Sequence, residues 1–239
     1  MNPVVVLPTY NEAENLREVV TQIRQQPGGF HVLIVDDGSP DGTGELAAGL
    51  CAEFAGEVQL LRRERKEGLG RAYVAGLGHA LKLGYSIIAQ MDADLSHSPT
   101  YLRPMLQALT QADVVLGSRY VRGVNVVNWD LKRLILSKAA TRYARIVTGM
   151  PYTDVTSGFK IWRREALEAI GLDHVFSNGY LFQIETTYRA HRLGLRVAEV
   201  PIIFYERNFG RSKIDLAIIG EALTGVVRLR LKRVRRGNR

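Results

Sequence analysis

The stretch "QMDADLSH", residues 90–97, sets Asp92 and Asp94 one residue apart, straight after the apolar run of residues 85–89. Residues two apart on an extended chain face the same side. Two such carboxylates repel, and a divalent cation held by oxygen ligands relieves that repulsion. Mg²⁺ or Mn²⁺ takes one or two carboxylates and fills its remaining positions with waters and substrate phosphates. The spacing therefore reads as a metal–diphosphate site, set against the simpler reading of a solvated turn. An EF-hand loop starting at Asp92 would need Gly at its sixth position and Glu at its twelfth, where His97 and Arg103 stand.

A second acidic pair, Asp36 and Asp37, follows the apolar run of residues 31–35. Such a pair can accept hydrogen bonds from a ribose or a base edge, although Ser39 or Asp41 could equally cap the next helix. Pro8, Tyr10 and Glu12 follow the first apolar run. A nucleoside recess beside a metal–diphosphate site describes an enzyme that uses a nucleotide sugar. Residues 42–47, "GTGELA", have dinucleotide-fingerprint spacing, but Asp36, Asp37 and Asp41 just upstream would repel a pyrophosphate. No Walker A pattern is present.

The elements that must carry these residues alternate. Apolar β-type runs at residues 4–8, 31–37, 58–63, 85–94 and 113–119 are separated by helical patterns at 12–26, 42–55, 69–83 and 100–110. Asn11 and Asp41 precede the first two helices as candidate caps. Strand then helix, repeated, with continuously apolar strands, predicts an α/β fold with a mostly parallel sheet covered on both faces. Ligands of such sheets bind beyond the C-terminal strand ends, where all the acidic residues above fall. The second half predicts a long helix at 129–149, a loop, strand and helix start over 154–167, a helix at 180–194, and a strand at 196–204 with Pro201 near an edge. An amphipathic helix at 214–236 closes the chain.

The chain has 239 residues, 46% of them hydrophobic and 23% charged, as in soluble globular proteins. No run approaches ~18 apolar residues and no basic n-region opens the chain, so neither a membrane span nor a signal peptide is expected. The lone Cys51 excludes an internal disulfide, suits a reducing compartment and reads as core packing. Net charge is +8; Arg228, Arg230, Lys232, Arg233, Arg235, Arg236 and Arg239 supply seven of those charges, leaving +1 for the body. A basic end suits solvent, an anionic membrane surface or nucleic acid. No aromatics are interleaved as a stacking platform needs, so nucleic acid is not expected as a partner.

In order along the chain, "PTYNE", "VDDGSPDGT", "GLGRAYVAGLGHAL", "MDADLSH", "GSRY", "WDLKRLILSKAA", "DVTSGF", "GYLFQIE" and "YERNFGRSK" resemble the family-2 glycosyltransferases that make polyprenyl- or dolichyl-phosphate mannose. The resemblance covers about residues 4–214. It implies one Rossmann-like GT-A domain over residues 1–239, with 214–239 an amphipathic helix and basic tail. GDP-mannose is the implied donor, Mg²⁺ or Mn²⁺ the implied cofactor and a polyprenyl phosphate the implied acceptor. Pro8, Tyr10, Glu12, Val35 and Asp37 are then expected at the nucleoside. Asp92, Ala93, Asp94, Arg207 and Lys213 are expected at the diphosphate. Asp92 and Asp94 are expected at the metal, with Ser96 as third ligand where some members carry an amide and where water can stand instead. His97 is expected to be a structural residue rather than a ligand.

The resemblance also places Arg119, Arg133 and Ser137 at the acceptor phosphate, since clustered phosphates need cations to offset them. Lys132 and Lys138 are further candidates. Asp94, Arg119, Arg133, Arg207 and Lys213 are the implied catalytic set, and Gln183 and Glu185 are expected near the sugar or orienting the arginines. The implied chemistry is one in-line displacement with inversion. A phosphate monoester is already anionic near neutral pH, so no strong general base is required. A polyprenyl-phosphate glucosyltransferase using UDP-glucose is the alternative; a processive polysaccharide synthase would carry a Q-x-x-R-W box, which is absent.

Several members of that family carry C-terminal membrane helices or recruit a membrane subunit. Here the stripe of Leu131, Leu134, Ile135 and Ala139, and the apolar positions Ile214, Ile218, Leu223, Val226, Val227 and Leu229, are flanked by basic residues. That pattern predicts peripheral attachment to an anionic membrane on its inner, cytoplasmic face, alone or with a membrane-protein partner, against the plainer reading that both stripes are core.

Overall fold

The computed structural model describes residues 2–206, 216–232, Val234 and Gly237, with backbone alone over 216–222. The strands are β1 (Pro3–Thr9), β2 (His31–Asp36), β3 (Val58–Arg62), β4 (Ile87–Gln90), β5 (Val114–Ser118), β6 (Val126–Val127), β7 (Lys160–Arg163), β8 (Val197–Pro201) and β9 (Phe204–Tyr205). The helices are α1 (Ala13–Arg24), α2 (Thr43–Glu53), α3 (Leu69–Lys82), α4 (Leu102–Ala108), α5 (Leu131–Thr148), α6 (Arg164–Ile170), α7 (Gly179–Arg192) and α8 (Leu216–Leu231).

Seven strands form one sheet in the order β3-β2-β1-β4-β7-β5-β8. All neighbours run parallel except β7, which is antiparallel to both β4 and β5. The sheet is α/β and mostly parallel, as the alternation of elements predicts. Successive side chains explain the continuously apolar strands. Val5, Leu7, Val32 and Ile34 point towards α1, α2 and α4, whereas Val4, Val6, Leu33 and Val35 point towards α3, α6 and α7. Cys51 packs against the first of these cores. Pro201 ends the edge strand β8, where its missing N–H costs no ladder bond.

The close fit of α3 on the sheet depends on Gly76. A Cβ there would stand 2.6 Å from Val35 Cγ2 and from Val6 Cγ1. Gly76→Val is therefore expected to destabilise the chain by about 3 kcal/mol through overpacking. The urea unfolding midpoint, read at unchanged m-value, measures this.

Several boundaries depart from the local pattern. The expected strand at 85–94 shortens to β4, because the chain leaves the ladder before the carboxylates. The expected strand at 196–204 divides into β8 and β9, and β9 pairs with β6 in a separate two-stranded sheet. Asn11 does not cap α1. It sits at φ 60°, and the Ala13 N–H is received instead by Asp41 Oδ2, 28 residues away. Asp41 also accepts from the N–H and hydroxyl of Thr43 at the start of α2.

A third apolar cluster joins α5, α7 and α8 through Ala144, Leu181, Ile184, Tyr188, Val226 and Leu229. The apolar positions of the last helix thus divide. Val226 and Leu229 are core, whereas Leu223, Val227 and Leu231 are exposed. On α5, Leu131, Ile135 and Ile146 are exposed. Ile214 and the side chain of Ile218 lie outside the described residues, as do Arg233, Arg235, Arg236 and Arg239. Val234 packs against the third cluster, and the Gly237 N–H donates to the Ala169 carbonyl. No described helix is long and apolar enough to cross a membrane.

Candidate active site

Parallel registry brings the acidic strand ends together. Thr9 pairs with Asp36 across β1 and β2, and Val6 pairs with Gln90 across β1 and β4. The chain then turns. Asp94 Oδ1 accepts from the Ser96 N–H at 3.1 Å and from the Ser96 hydroxyl at 2.6 Å. Between them Leu95 sits at φ 60°, a left-handed conformation that costs a branched residue roughly 1–2 kcal/mol. Asp92 Oδ1 accepts from the Tyr73 hydroxyl at 2.8 Å. Burial, then the charge of Asp92, push the Tyr73 pKa well up, so the phenol stays a donor.

Asp92 opens on a cavity, while Asp94 and Ser96 are buried in the turn. Ser96 thus serves Asp94 as a donor, and Ala93 is buried between the two acids. Among the described residues no third His, Cys, Asp or Glu completes a metal cluster with the pair. Two hard carboxylates on one tight turn suit a cation that takes its other ligands from phosphate and water. His97 is buried, tilted against Phe159 and edge-on to Phe204, with Nδ1 4.0 Å from Asp92 Oδ2. Burial lowers its pKa and favours the neutral ring.

Where the resemblance expects the nucleoside, Pro8 pairs with Val35 and the Asp37 N–H donates to Thr9 O, so these strand ends lie side by side. Their side chains differ in exposure. Val35 is fully buried beneath α3 and offers no side chain to a ligand. Asp37 is buried and paired with Arg63 at 2.6 Å. Burial raises its pKa by more than Arg63 lowers it. Lys66 Nζ lies 3.9 Å above the Tyr10 ring, and Glu12 accepts from Asn15. Asp36 accepts from Ser39, so it holds its own loop. Arg63 and Lys66 are partners of Asp37 and Tyr10 that the strand-end pattern misses, because they arrive on the neighbouring loop after β3.

Arg119, at the end of β5, is buried and anchored. Its Nε and Nη2 donate to Asp154 at 2.7 and 2.8 Å, and its backbone N–H donates to the same carboxylate. Nη2 also donates to Thr156; Nη1 joins none of these bonds. Burial works against both charges, and mutual attraction overcomes it. The Arg119 pKa is raised and that of Asp154 lowered. Arg133 pairs with Glu206 and stacks 4.4 Å over Trp129. Ser137 shares a 2.8 Å hydrogen bond with the Tyr120 hydroxyl. Arg207 and Lys213 lie outside the described residues.

These groups line one end of a cavity of about 370 Å³ that begins at Asp92, His97, Arg119, Arg133 and Ser137. It continues between α5, α7 and α8 past Leu136, Ala140, Tyr143, Ile184 and Val226. Gln183 lines it, but Glu185 does not. Glu185 accepts from Phe176 N, Ser177 N and the Ser177 hydroxyl, and its nearest cation is Arg189 at 3.9 Å. It therefore steadies the approach to α7 and orients neither Arg119 nor Arg133. Lys138 opens on the opposite side of α5, with Arg142 and Arg145.

The glycosyl transferase family 2 model matches residues 4–171. An undecaprenyl-phosphate mannosyltransferase of Micrococcus luteus is 45% identical over 228 residues, which cover 95% of this chain and 93% of that protein. A polyprenol monophosphomannose synthase of Mycolicibacterium smegmatis is 46% identical over 237 residues, covering 97% of this chain and 89% of the other. The crystal structure of glucosyl-3-phosphoglycerate synthase from Mycobacterium tuberculosis with Mn²⁺, uridine diphosphate and glucosyl-3-phosphoglycerate superposes with a TM-score of 0.67. That match has 22% identity, covers 98% of this chain and 80% of the other, and shows a shared GT-A fold. With its acidic strand ends arranged as above and its family model spanning most of its length, the chain belongs to glycosyl transferase family 2 and is a glycosyltransferase.

Proposed function

We propose that this enzyme transfers mannose from GDP-mannose to a polyprenyl phosphate, forming β-linked polyprenyl phosphate mannose and GDP. The observation that carries the proposal is the two-ended cavity. One end holds Asp92, Arg119 and Arg133, and the other is walled by leucine, isoleucine, valine and alanine. A phosphorylated lipid has the same division of charge and hydrocarbon. The names of the two mannosyl-transferring relatives point to the same acceptor and sugar.

The donor nucleoside is assigned to the recess at Pro8, Tyr10, Glu12 and Asp37, with the diphosphate near Asp92, Ala93 and Asp94. A Mg²⁺ or Mn²⁺ ion held there by Asp92 and Asp94 would neutralise charge on the departing diphosphate. Mn²⁺ and uridine diphosphate occur together in the fold neighbour of known structure. Ser96 acts by fixing Asp94. Arg119, anchored by Asp154, and Arg133, stacked on Trp129, are assigned to the acceptor phosphate, with Ser137 beside them. Arg207 and Lys213 are assigned to the donor diphosphate. Holding the acceptor oxygen in line with the anomeric carbon is then the main contribution of the protein. The deciding experiment incubates purified enzyme with GDP-mannose or UDP-glucose and short polyprenyl phosphates. Mannosyl transfer with release of GDP supports the proposal. Transfer from UDP-glucose alone overturns the donor, and no transfer from either donor to the lipid overturns the acceptor.

The same proposal places the enzyme on the inner, cytoplasmic face of a membrane, with α5 and α8 against the lipid. Leu131 and Ile135 are 69% and 59% exposed, beside the exposed Lys132 and Lys138. Leu131→Glu with Ile135→Glu touches no buried packing. It is expected to weaken sedimentation with anionic vesicles at low salt by about tenfold or more. Unchanged sedimentation would remove α5 from the contact and favour recruitment by a membrane-protein partner.

A further inference from the structure

Three side chains from three segments converge on the space over Gly158. A methyl group built on Gly158 would stand 3.4 Å from Gln183 Nε2, 3.5 Å from Asp92 Oδ2 and 3.7 Å from His97 Cε1. All three residues line the cavity beside Arg119. Gln183 and His97 are each about 97% buried, and His97 Nδ1 has no hydrogen-bond partner among the described residues. A donor and an acceptor facing one small space are complementary to a hydroxyl group, which donates once and accepts twice.

The polarity of the Gln183 amide is not free to vary. The Trp162 indole can only donate, and it donates to Gln90 Oε1 at 3.1 Å. Gln90 Nε2 must then face the other way, where it donates to the Gly158 carbonyl at 3.2 Å and to Gln183 Oε1 at 2.7 Å. The carbonyl can only accept, so both ends of the chain of bonds demand the same orientation. Gln183 Oε1 is consumed, and Nε2 is left to present N–H groups to the space over Gly158. Trp162 and Gln90 are both fully buried.

We propose that this space is a subsite for a hydroxyl of the transferred sugar, with Gln183 Nε2 donating to it and Asp92 Oδ2 accepting from it. Trp162 and Gln90 are positioning residues that hold the Gln183 amide in its donating orientation. Gly158 is glycine because any side chain would occupy the place of the hydroxyl. The proposal rests on the nucleotide-sugar function above; to Gln183, which the resemblance already sets near the sugar, it adds the Asp92 acceptor, the space over Gly158 and the two residues that fix the amide.

The test compares GDP-mannose with GDP by calorimetry in the presence of Mn²⁺, for the wild type and three variants. In Gly158→Ala the added methyl makes only ordinary contacts of 3.4 Å or more, so the free protein should keep its thermal midpoint. Its affinity for GDP should stay within about twofold, while its affinity for GDP-mannose relative to GDP falls about tenfold. Gln183→Met should lower the same ratio by removing the donor. Trp162→Phe should lower it too, by releasing the amide from its fixed orientation, and a purely structural role for Trp162 would leave the ratio unmoved. If wild-type enzyme binds GDP-mannose and Gly158→Ala leaves the ratio intact, the subsite is wrong and the function stands. If the wild type binds GDP-mannose no differently from an unrelated nucleotide sugar, the function and the subsite fall together.

Discussion

Asp94→Ala is expected to lower mannosyl transfer by about 10³-fold while the chain remains folded. The loss follows from charge, since a departing diphosphate relies on the cation that the carboxylate pair would hold. Asp94 is 5% exposed and belongs to the turn through its bonds with Ser96. Those bonds are local, and their removal costs about 1–2 kcal/mol of stability. Asp94→Asn separates the two contributions, because an amide oxygen can still accept from Ser96 but carries no charge. Both variants should give a native circular dichroism spectrum, with stability nearer wild type for Asn and transfer lost in both. Full turnover by Asp94→Asn would show that charge at this position is not used.

The second large effect concerns stability as well as activity. Asp154 is fully buried and holds Arg119 by two side-chain bonds and one backbone bond. Asp154→Ala leaves a buried guanidinium without its counter-charge, and breaking a buried pair from one side costs about 3–5 kcal/mol. For a chain of this size that lowers Tm by roughly 10 °C. Transfer should fall further than stability explains, because Arg119 then loses the anchor that aims it at the cavity. The pair also has a pH signature. Burial alone would raise the Asp154 pKa, but the charge and hydrogen bonds of Arg119 bring it below its usual value. The carboxyl is therefore more acidic folded than unfolded. Its contribution to stability is complete above the unfolded value of 3.8 and is lost as pH falls below that through the folded pKa. Thermal melts of wild type and Asp154→Ala should converge at the acid end of a pH series and separate above about pH 4.

The motif at residues 92–94 does not reveal how its two carboxylates differ. One is tied to Tyr73 and faces the cavity, and the other is folded into a turn. Tyr73 lies 19 residues before Asp92, on α3, where its spacing reads only as part of an apolar helix face. Arg119 and Asp154 are similarly legible one at a time but not as a pair, since 35 residues and two other elements separate them. Glu185 shows the opposite error. It belongs to a block that resembles a sugar site, but its carboxylate is spent on backbone N–H groups before α7.

Alternation of apolar strands with amphipathic helices is a local property, repeated over short windows, and it determined the α/β class, the buried faces and the edge that carries the acids. The same local chemistry set two carboxylates close together at that edge. Tertiary structure alone decided which groups those acids meet. It inserted β7 antiparallel between β4 and β5, joined Gln90 to Gln183 across 93 residues, and split α8 into a core face and an exposed face. The physical reason is that periodicity reports which side of an element is buried. Hydrogen-bond partners and ion pairs depend on which distant segment is packed there, and that is settled only when the whole sheet closes its register.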